Sequence, residues 1–122
     1  MAKILIVDDE AKIREVVKEY AMLIHGFEVV EAENGYEAIT KVEKQDFDLI
    51  VLDIMMPVMD GYVAMKTIRN TAGINNIPII TLSAKAMKED YQKAIASGEN
   101  DYISKPVDVQ KFLTLLKTCL FR

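Results

Sequence analysis

The sequence predicts an α/β fold, a doubly wound five-stranded parallel sheet with five helices packed on its two faces. Three observations predict it. Short apolar runs of strand length recur along the whole chain. Stretches with helical spacing separate them, and parallel neighbours in a sheet need such crossovers. The run Leu49-Ile50-Val51-Leu52 is four consecutive apolar residues with no polar alternation, the pattern of a strand buried on both faces.

The elements follow in chain order. Ile4 to Val7 forms the first strand, closed by Asp8-Asp9-Glu10. The next helix puts Ile13, Val16, Val17, Tyr20, Leu23 and Ile24 on one face and stops near His25-Gly26. Phe27 to Val30 is the second strand. Asn34-Gly35 turns into a second helix, with Ala38, Ile39 and Val42 inward and Lys41, Glu43 and Lys44 outward. Asp48 to Leu52 is the third strand, and Asp53 ends it. After the Pro57 to Gly61 loop, a third helix uses Val63, Ala64, Met65 and Ile68, ending at Asn70 before a turn over Gly73 to Asn76. Pro78 to Leu82 is the fourth strand, with proline tolerated at its start.

Ser83-Ala84-Lys85 reads as a loop. The helix expected from Ala86 to Ala96 is weakly apolar and crowded with Lys88, Glu89, Asp90, Gln92 and Lys93, so it is expected to be the marginal and mobile one. Ser97-Gly98 ends it, and Tyr102 to Ser104 forms the last strand before Lys105-Pro106. Asp108 is an N-cap for the final helix, which carries Val109, Phe112, Leu113, Leu115, Leu116 and Leu120.

Length and composition limit the function classes. A chain of 122 residues without repeats or linkers is expected to be one domain over 1–122, with no output domain. With 51% hydrophobic and 28% charged residues it has an ordinary globular composition. No stretch reaches membrane-spanning length, and the N-terminal apolar run is too short for a signal peptide, so a cytoplasmic protein is expected. Cys119 is the only cysteine, which excludes an intramolecular disulfide and a cysteine-based zinc site. It reads as a small apolar packing residue. A net charge of -4, with Lys and Arg scattered among acids, gives no nucleic-acid footprint.

The chemistry gathers at the carboxyl ends of the strands, where open parallel sheets bind ligands. Asp8 and Asp9 follow the first strand, Asp53 the third, Ser83 the fourth and Lys105 the fifth. Three carboxylates within about 4 Å of one another repel by roughly 4 kcal/mol per pair at an effective dielectric near 20. A divalent cation relieves that strain. The donors are all oxygens, which selects a hard ion, magnesium above all with manganese as a substitute. Asp9 and Asp53 are the best direct ligands, with Asp8 acting through water. Lys105 and Ser83 suit the neutralisation of a transferring phosphoryl group.

Taken together, Ile4-Leu5-Ile6-Val7-Asp8-Asp9-Glu10, Leu52-Asp53-Ile54-Met55-Met56-Pro57-Val58-Met59-Asp60-Gly61, Ser83-Ala84 and Tyr102-Ile103-Ser104-Lys105-Pro106 resemble the receiver domain of two-component response regulators. The resemblance covers the whole chain. It implies a flavodoxin-like, CheY-like sheet of order 2-1-3-4-5. It also implies that Asp53 accepts a phosphoryl group from a phosphohistidine of a histidine kinase or phosphotransfer protein. Asp8, Asp9 and the Met55 backbone carbonyl would organise magnesium, and Lys105 would contact the acyl phosphate. Ser83 and Tyr102 would be the switch residues, and the Lys105-Pro106 bond would be cis. Ser83 departs slightly from the family pattern, in which threonine is frequent.

Further expectations follow from the resemblance. The protein would catalyse its own phosphorylation and dephosphorylation without being an enzyme in the ordinary sense. The helix over 86–96, the last strand and the last helix would form the output surface for a downstream protein target. The crevice rim and the outer side of the first helix, around Ala11, Arg14 and Glu15, would receive the kinase. A monomer or weak phosphorylation-dependent dimer is expected, with no direct nucleic-acid or membrane partner.

Plainer and competing readings stand beside these. Asp8, Asp9 and Asp53 could be solvated turn acids or caps, Lys105 a surface lysine and Tyr102 ordinary strand packing. His25 sits where it would meet terminal helix carbonyls. The methionines read mostly as core fillers, with Met55 and Met59 bordering the site. An aspartyl phosphohydrolase of the haloacid dehalogenase type needs a second acid two residues after the nucleophile, where this chain has Met55. A flavin or nucleotide carrier needs a glycine-rich loop where this chain has Asp8-Asp9-Glu10. The remaining competitor is a receiver-like interaction module that is never phosphorylated.

Overall fold

The computed structural model describes residues 2–23, 27–54, 56, 59, 61–71, 73, 76–83, 101–104 and 107–120, with only the backbone at 83, 101, 102, 104 and 119. Five strands, β1 (Ala2–Val7), β2 (Phe27–Ala32), β3 (Leu49–Asp53), β4 (Ile79–Ser83) and β5 (Asp101–Ser104), form one sheet in the order β2-β1-β3-β4-β5. Every pairing is parallel. Four helices lie among the described residues: α1 (Ala11–Ala21), α2 (Gly35–Lys44), α3 (Gly61–Arg69) and α4 (Val109–Leu120). The helix expected over 86–96 falls outside the described residues. None of the described helices is long and apolar enough to cross a membrane.

Alternation along the central strands sends side chains to two cores. Leu5, Val7, Ile50 and Leu52 face α2 and α3, meeting Ala38, Val42, Ala64 and Ile68. Ile4, Ile6, Leu49 and Val51 face α1 and α4, meeting Val17, Ala21, Phe112 and Leu116. β3 is buried along its whole length, which is why its sequence is apolar without alternation. β2, an edge strand, is buried fully only at Ala32.

Two helices, α2 and α4, are capped by the polar residue that precedes them, whereas Glu10 before α1 makes no side-chain cap. Asn34 Oδ1 accepts a hydrogen bond from the Glu37 amide at 2.9 Å, and Asp108 Oδ1 accepts one from the Lys111 amide at 3.1 Å. Such caps satisfy amides that the first helical turn leaves without partners.

Several expected boundaries shift. β1 starts earlier, at Ala2, and β2 runs on to Ala32, while β5 takes in Asp101. Ser83, expected in a loop, is the last residue of β4, because its backbone still pairs with β5 at Ser104. α1 ends at Ala21 rather than near His25-Gly26, and 24–26 lie outside the described residues. Amides of Met22 and Leu23 bond to the carbonyls of Lys18 and Tyr20, tightening the last turn. Leu23, expected on the buried face, is therefore 63% exposed. Val63 is also 49% exposed, since it sits on the outer side of α3, away from Ala64, Met65 and Ile68.

Candidate functional site

From β1 the chain passes to β2 on one side, then returns to β3 on the other, so β1 and β3 flank the topological switch point. Val7 pairs with Leu52, and the next residues along the two strands are Asp8 and Asp53. They continue the alternation of Ile4-Ile6 and Leu49-Val51 toward the α1 and α4 face. Both are buried, at 0% and 1% exposure. Ionised carboxylates out of water cost several kcal/mol each unless they gain polar partners.

The end of β1 is held by hydrogen bonds. The Asp8 amide donates to the Ala32 carbonyl at 3.2 Å, and Asp8 Oδ1 accepts from the Glu10 amide at 2.9 Å. The Asp8 carbonyl accepts from Arg14 Nη1 at 2.7 Å, while Arg14 Nε donates to Glu31 Oε1 at 3.2 Å. Glu31 anchors further charges. Its Oε2 lies 3.9 Å from Lys18 Nζ, and its carbonyl accepts from Lys41 Nζ.

The end of β3 is held by backbone. The Ile54 amide donates to the Leu82 carbonyl at 3.1 Å, and the Gly61 amide donates to the Ile54 carbonyl at 2.8 Å. Gly61, the first residue of α3, presses against this chain: a Cβ there would lie 2.3 Å from the Asp53 carbonyl oxygen and 2.7 Å from Ile54 Cα. Glycine is required here by close approach, with no left-handed backbone involved.

Carboxylate oxygens of Asp8, Asp9 and Glu10 all come within 4.8 Å of one another, Asp8 buried and the other two exposed. This donor set offers only charged oxygens, one buried and two exposed, which fits magnesium, an ion that takes few protein carboxylates and keeps waters. Glu10 was not expected among the ligands. Its proximity comes from the turn closed by its own amide on Asp8 Oδ1, a signal available only as the Asp8-x-Glu10 spacing.

The other expected residues are placed as follows. Ser83 follows Leu82, the β4 partner of Asp53, and Tyr102 in β5 pairs with Thr81. Lys105, Pro106 and its peptide bond, Met55 and His25 lie outside the described residues. Ala11 and Glu15 are exposed. Arg14, expected on the outer side of α1, is instead turned inward with only 14% of its side chain exposed, because Asp8 and Glu31 claim its guanidinium.

Residues 4–117 match the family model of the response regulator receiver domain. The chain belongs to this family. The receiver is 38% identical to the protein PilH of Pseudomonas aeruginosa over 119 residues, covering 97% of this chain and 94% of that one. Its fold matches the Vibrio cholerae chemotaxis protein CheY4 with a TM-score of 0.91 and 35% identity, covering 98% and 99% of the two chains. It also matches the receiver domain of the sensor histidine kinase PA1611 from Pseudomonas aeruginosa, solved with a magnesium ion coordinated in its active site cleft. There the TM-score is 0.90 and the identity 30%, over 99% and 98% of the chains. The chain spans about half the length of other curated relatives it matches, transcriptional regulators of which it covers 56% and 48%.

Proposed function

We propose that this receiver is a phosphoacceptor switch in which Asp53 takes a phosphoryl group from the phosphohistidine of a histidine kinase or phosphotransfer protein. One observation carries the reading: Asp53 is a carboxylate with 1% exposure at the carboxyl end of the central strand, beside the acid-bearing end of β1. An Asp53 carboxylate oxygen attacks phosphorus in line as the phosphorus–nitrogen bond breaks, its electron pair leaving with the imidazole. The backbone contact at Gly61 fixes the direction from which Asp53 approaches.

Asp8, Asp9, Asp53 and the Met55 carbonyl hold magnesium in this reading, with Glu10 at the rim. Magnesium, when bound, offsets charge on the phosphoryl oxygens. The magnesium described for the PA1611 receiver supports that assignment. Lys105 contacts the acyl phosphate, and the protein promotes both its own phosphorylation and its own dephosphorylation. The segment 86–96 lies in the connection between the parallel strands β4 and β5. It forms with β5 and α4 the output surface for a protein target. Ser83 and Tyr102 relay the change to that surface. One hydroxyl contact and one ring rotation give a partial population shift, because moving from 1:99 to 99:1 takes about 5.5 kcal/mol.

Incubation with magnesium and acetyl phosphate followed by intact mass tests the reading. A gain of one phosphoryl group that disappears in Asp53→Asn is expected. No adduct under any donor condition would overturn it and leave an unphosphorylated interaction module.

A further inference from the structure

Arg14 lies on α1 but its contacts belong to the cation-binding end of β1. Its guanidinium forks, with Nη1 on the Asp8 carbonyl at 2.7 Å and Nε on Glu31 Oε1 at 3.2 Å. Only 14% of the side chain is exposed. Glu31 is braced in turn, its carbonyl by Lys41 Nζ and its carboxylate by Lys18. The Asp8 carbonyl is thus tied to β2 through a planar, pre-organised group. The opposite side of the same peptide segment is tied by Asp8 Oδ1 to the Glu10 amide.

We infer that Arg14 is a positioning residue for divalent cation binding, locking the Asp8 carbonyl against Glu31 so that the Asp8-Asp9-Glu10 turn presents its carboxylates in register with Asp53. The inference rests on the reading that these acids hold magnesium. Arg14 touches neither the cation nor a phosphoryl group. Its action is to hold a ligand-bearing turn, and outer partners of this kind set metal affinity through ligand orientation.

The sign of the effect separates this role from simple electrostatics. A cation near a cation site repels magnesium, so an arginine acting only by charge would weaken binding, and its removal would strengthen it. An arginine acting by its fork does the reverse. Arg14→Gln removes both charge and fork, and Arg14→Lys keeps the charge but cannot span both partners.

Calorimetric titration of the full chain with magnesium chloride alone reads the affinity, and thermal unfolding without metal reads the fold. About 10-fold weaker magnesium binding is expected in both Arg14→Gln and Arg14→Lys. In acetyl phosphate labelling, the magnesium concentration giving half-maximal rate rises by the same factor while the rate at saturation stays near wild type. Asp9→Asn, which should lose most of the binding, verifies which site is being titrated. Wild-type affinity or tighter binding in folded Arg14→Lys overturns the inference and leaves the metal reading intact. Absence of magnesium binding in the wild type, or binding unaffected by Asp9→Asn, overturns both. Should Arg14→Gln fail to fold, Arg14→Lys alone decides.

Discussion

The ends of β1 and β3 carry buried carboxylates on neighbouring strands, and the backbone around each is held by contacts of a different kind. At β1, Asp8 is fixed by hydrogen bonds to Ala32, Glu10 and Arg14, with Arg14 and Lys18 of α1 and Lys41 of α2 sharing Glu31. At β3, the peptide that follows Asp53 is fixed by backbone packed on backbone, with Gly61 against it. A charged network yields by degrees and responds to salt and to single-charge changes. A close-packed backbone contact has no slack, since protein interiors are packed like organic crystals. On the proposed function, the end of β1 that would hold magnesium is then the adjustable one, and the end of β3 that would carry the nucleophile is the rigid one.

Gly61→Ala should produce the largest effect, because it attacks the rigid side. A methyl group 2.3 Å from the Asp53 carbonyl oxygen cannot be accommodated without moving either α3 or the strand end. Urea unfolding should show a loss of about 1–3 kcal/mol, the usual cost of overpacking. Labelling of Asp53 by acetyl phosphate should fall further, on the order of 100-fold for a displacement near 1 Å. Stability and labelling equal to wild type would show that this contact has slack after all.

Asp8→Asn tests the adjustable side and should act in two opposite directions. The amide keeps the oxygen that accepts from Glu10 and leaves the backbone carbonyl to Arg14. It removes one of the clustered charges, so the metal-free protein should gain on the order of 1 kcal/mol in urea unfolding. Magnesium affinity, measured by calorimetry, should drop at the same time. A loss of stability in the metal-free state would mean that the Asp8 charge is better compensated by its surroundings than by the ion.

The same contrast explains what could be read from the residues alone. The strands, and Asp8 and Asp53 at the ends of two of them, were legible because they depend on short-range pattern: buried parallel strands are apolar throughout, and a carboxylate just beyond one stands out. The expected grouping of Asp8 and Asp9 with Asp53 is not the cluster the structure shows among the described residues, which is Asp8, Asp9 and Glu10. Gly61 was legible as a turn residue but not as the support of Asp53, since its neighbours come from another element. The family resemblance puts Arg14 on the outer, kinase-facing side of the first helix, whereas its guanidinium turns to Asp8 and Glu31. Its partners, Asp8 and Glu31, are separated from it by a turn and by a strand, and no local pattern encodes that meeting. Helical spacing places Leu23 inward, whereas the structure leaves it exposed. Periodicity carries a helix forward, whereas its end is decided by which carbonyls the last amides reach.

Lys18→Ala should give the smallest effect and is the sharpest check on the division between the two strand ends. Lys18 shares Glu31 with Arg14, but at 3.9 Å and with 44% of its side chain exposed. An exposed pair of this kind is worth about 0–1 kcal/mol, much of it screened by salt. Thermal and urea midpoints should stay close to wild type, and magnesium affinity should not change. The comparison with Arg14→Lys matters because both substitutions disturb the same carboxylate. If Lys18→Ala weakened magnesium binding as much as Arg14→Lys does, the balance of charge around Glu31 would control the β1 end, and the arginine fork would lose its special part. An unchanged affinity isolates the fork as the element that converts a charged network into a fixed ligand geometry.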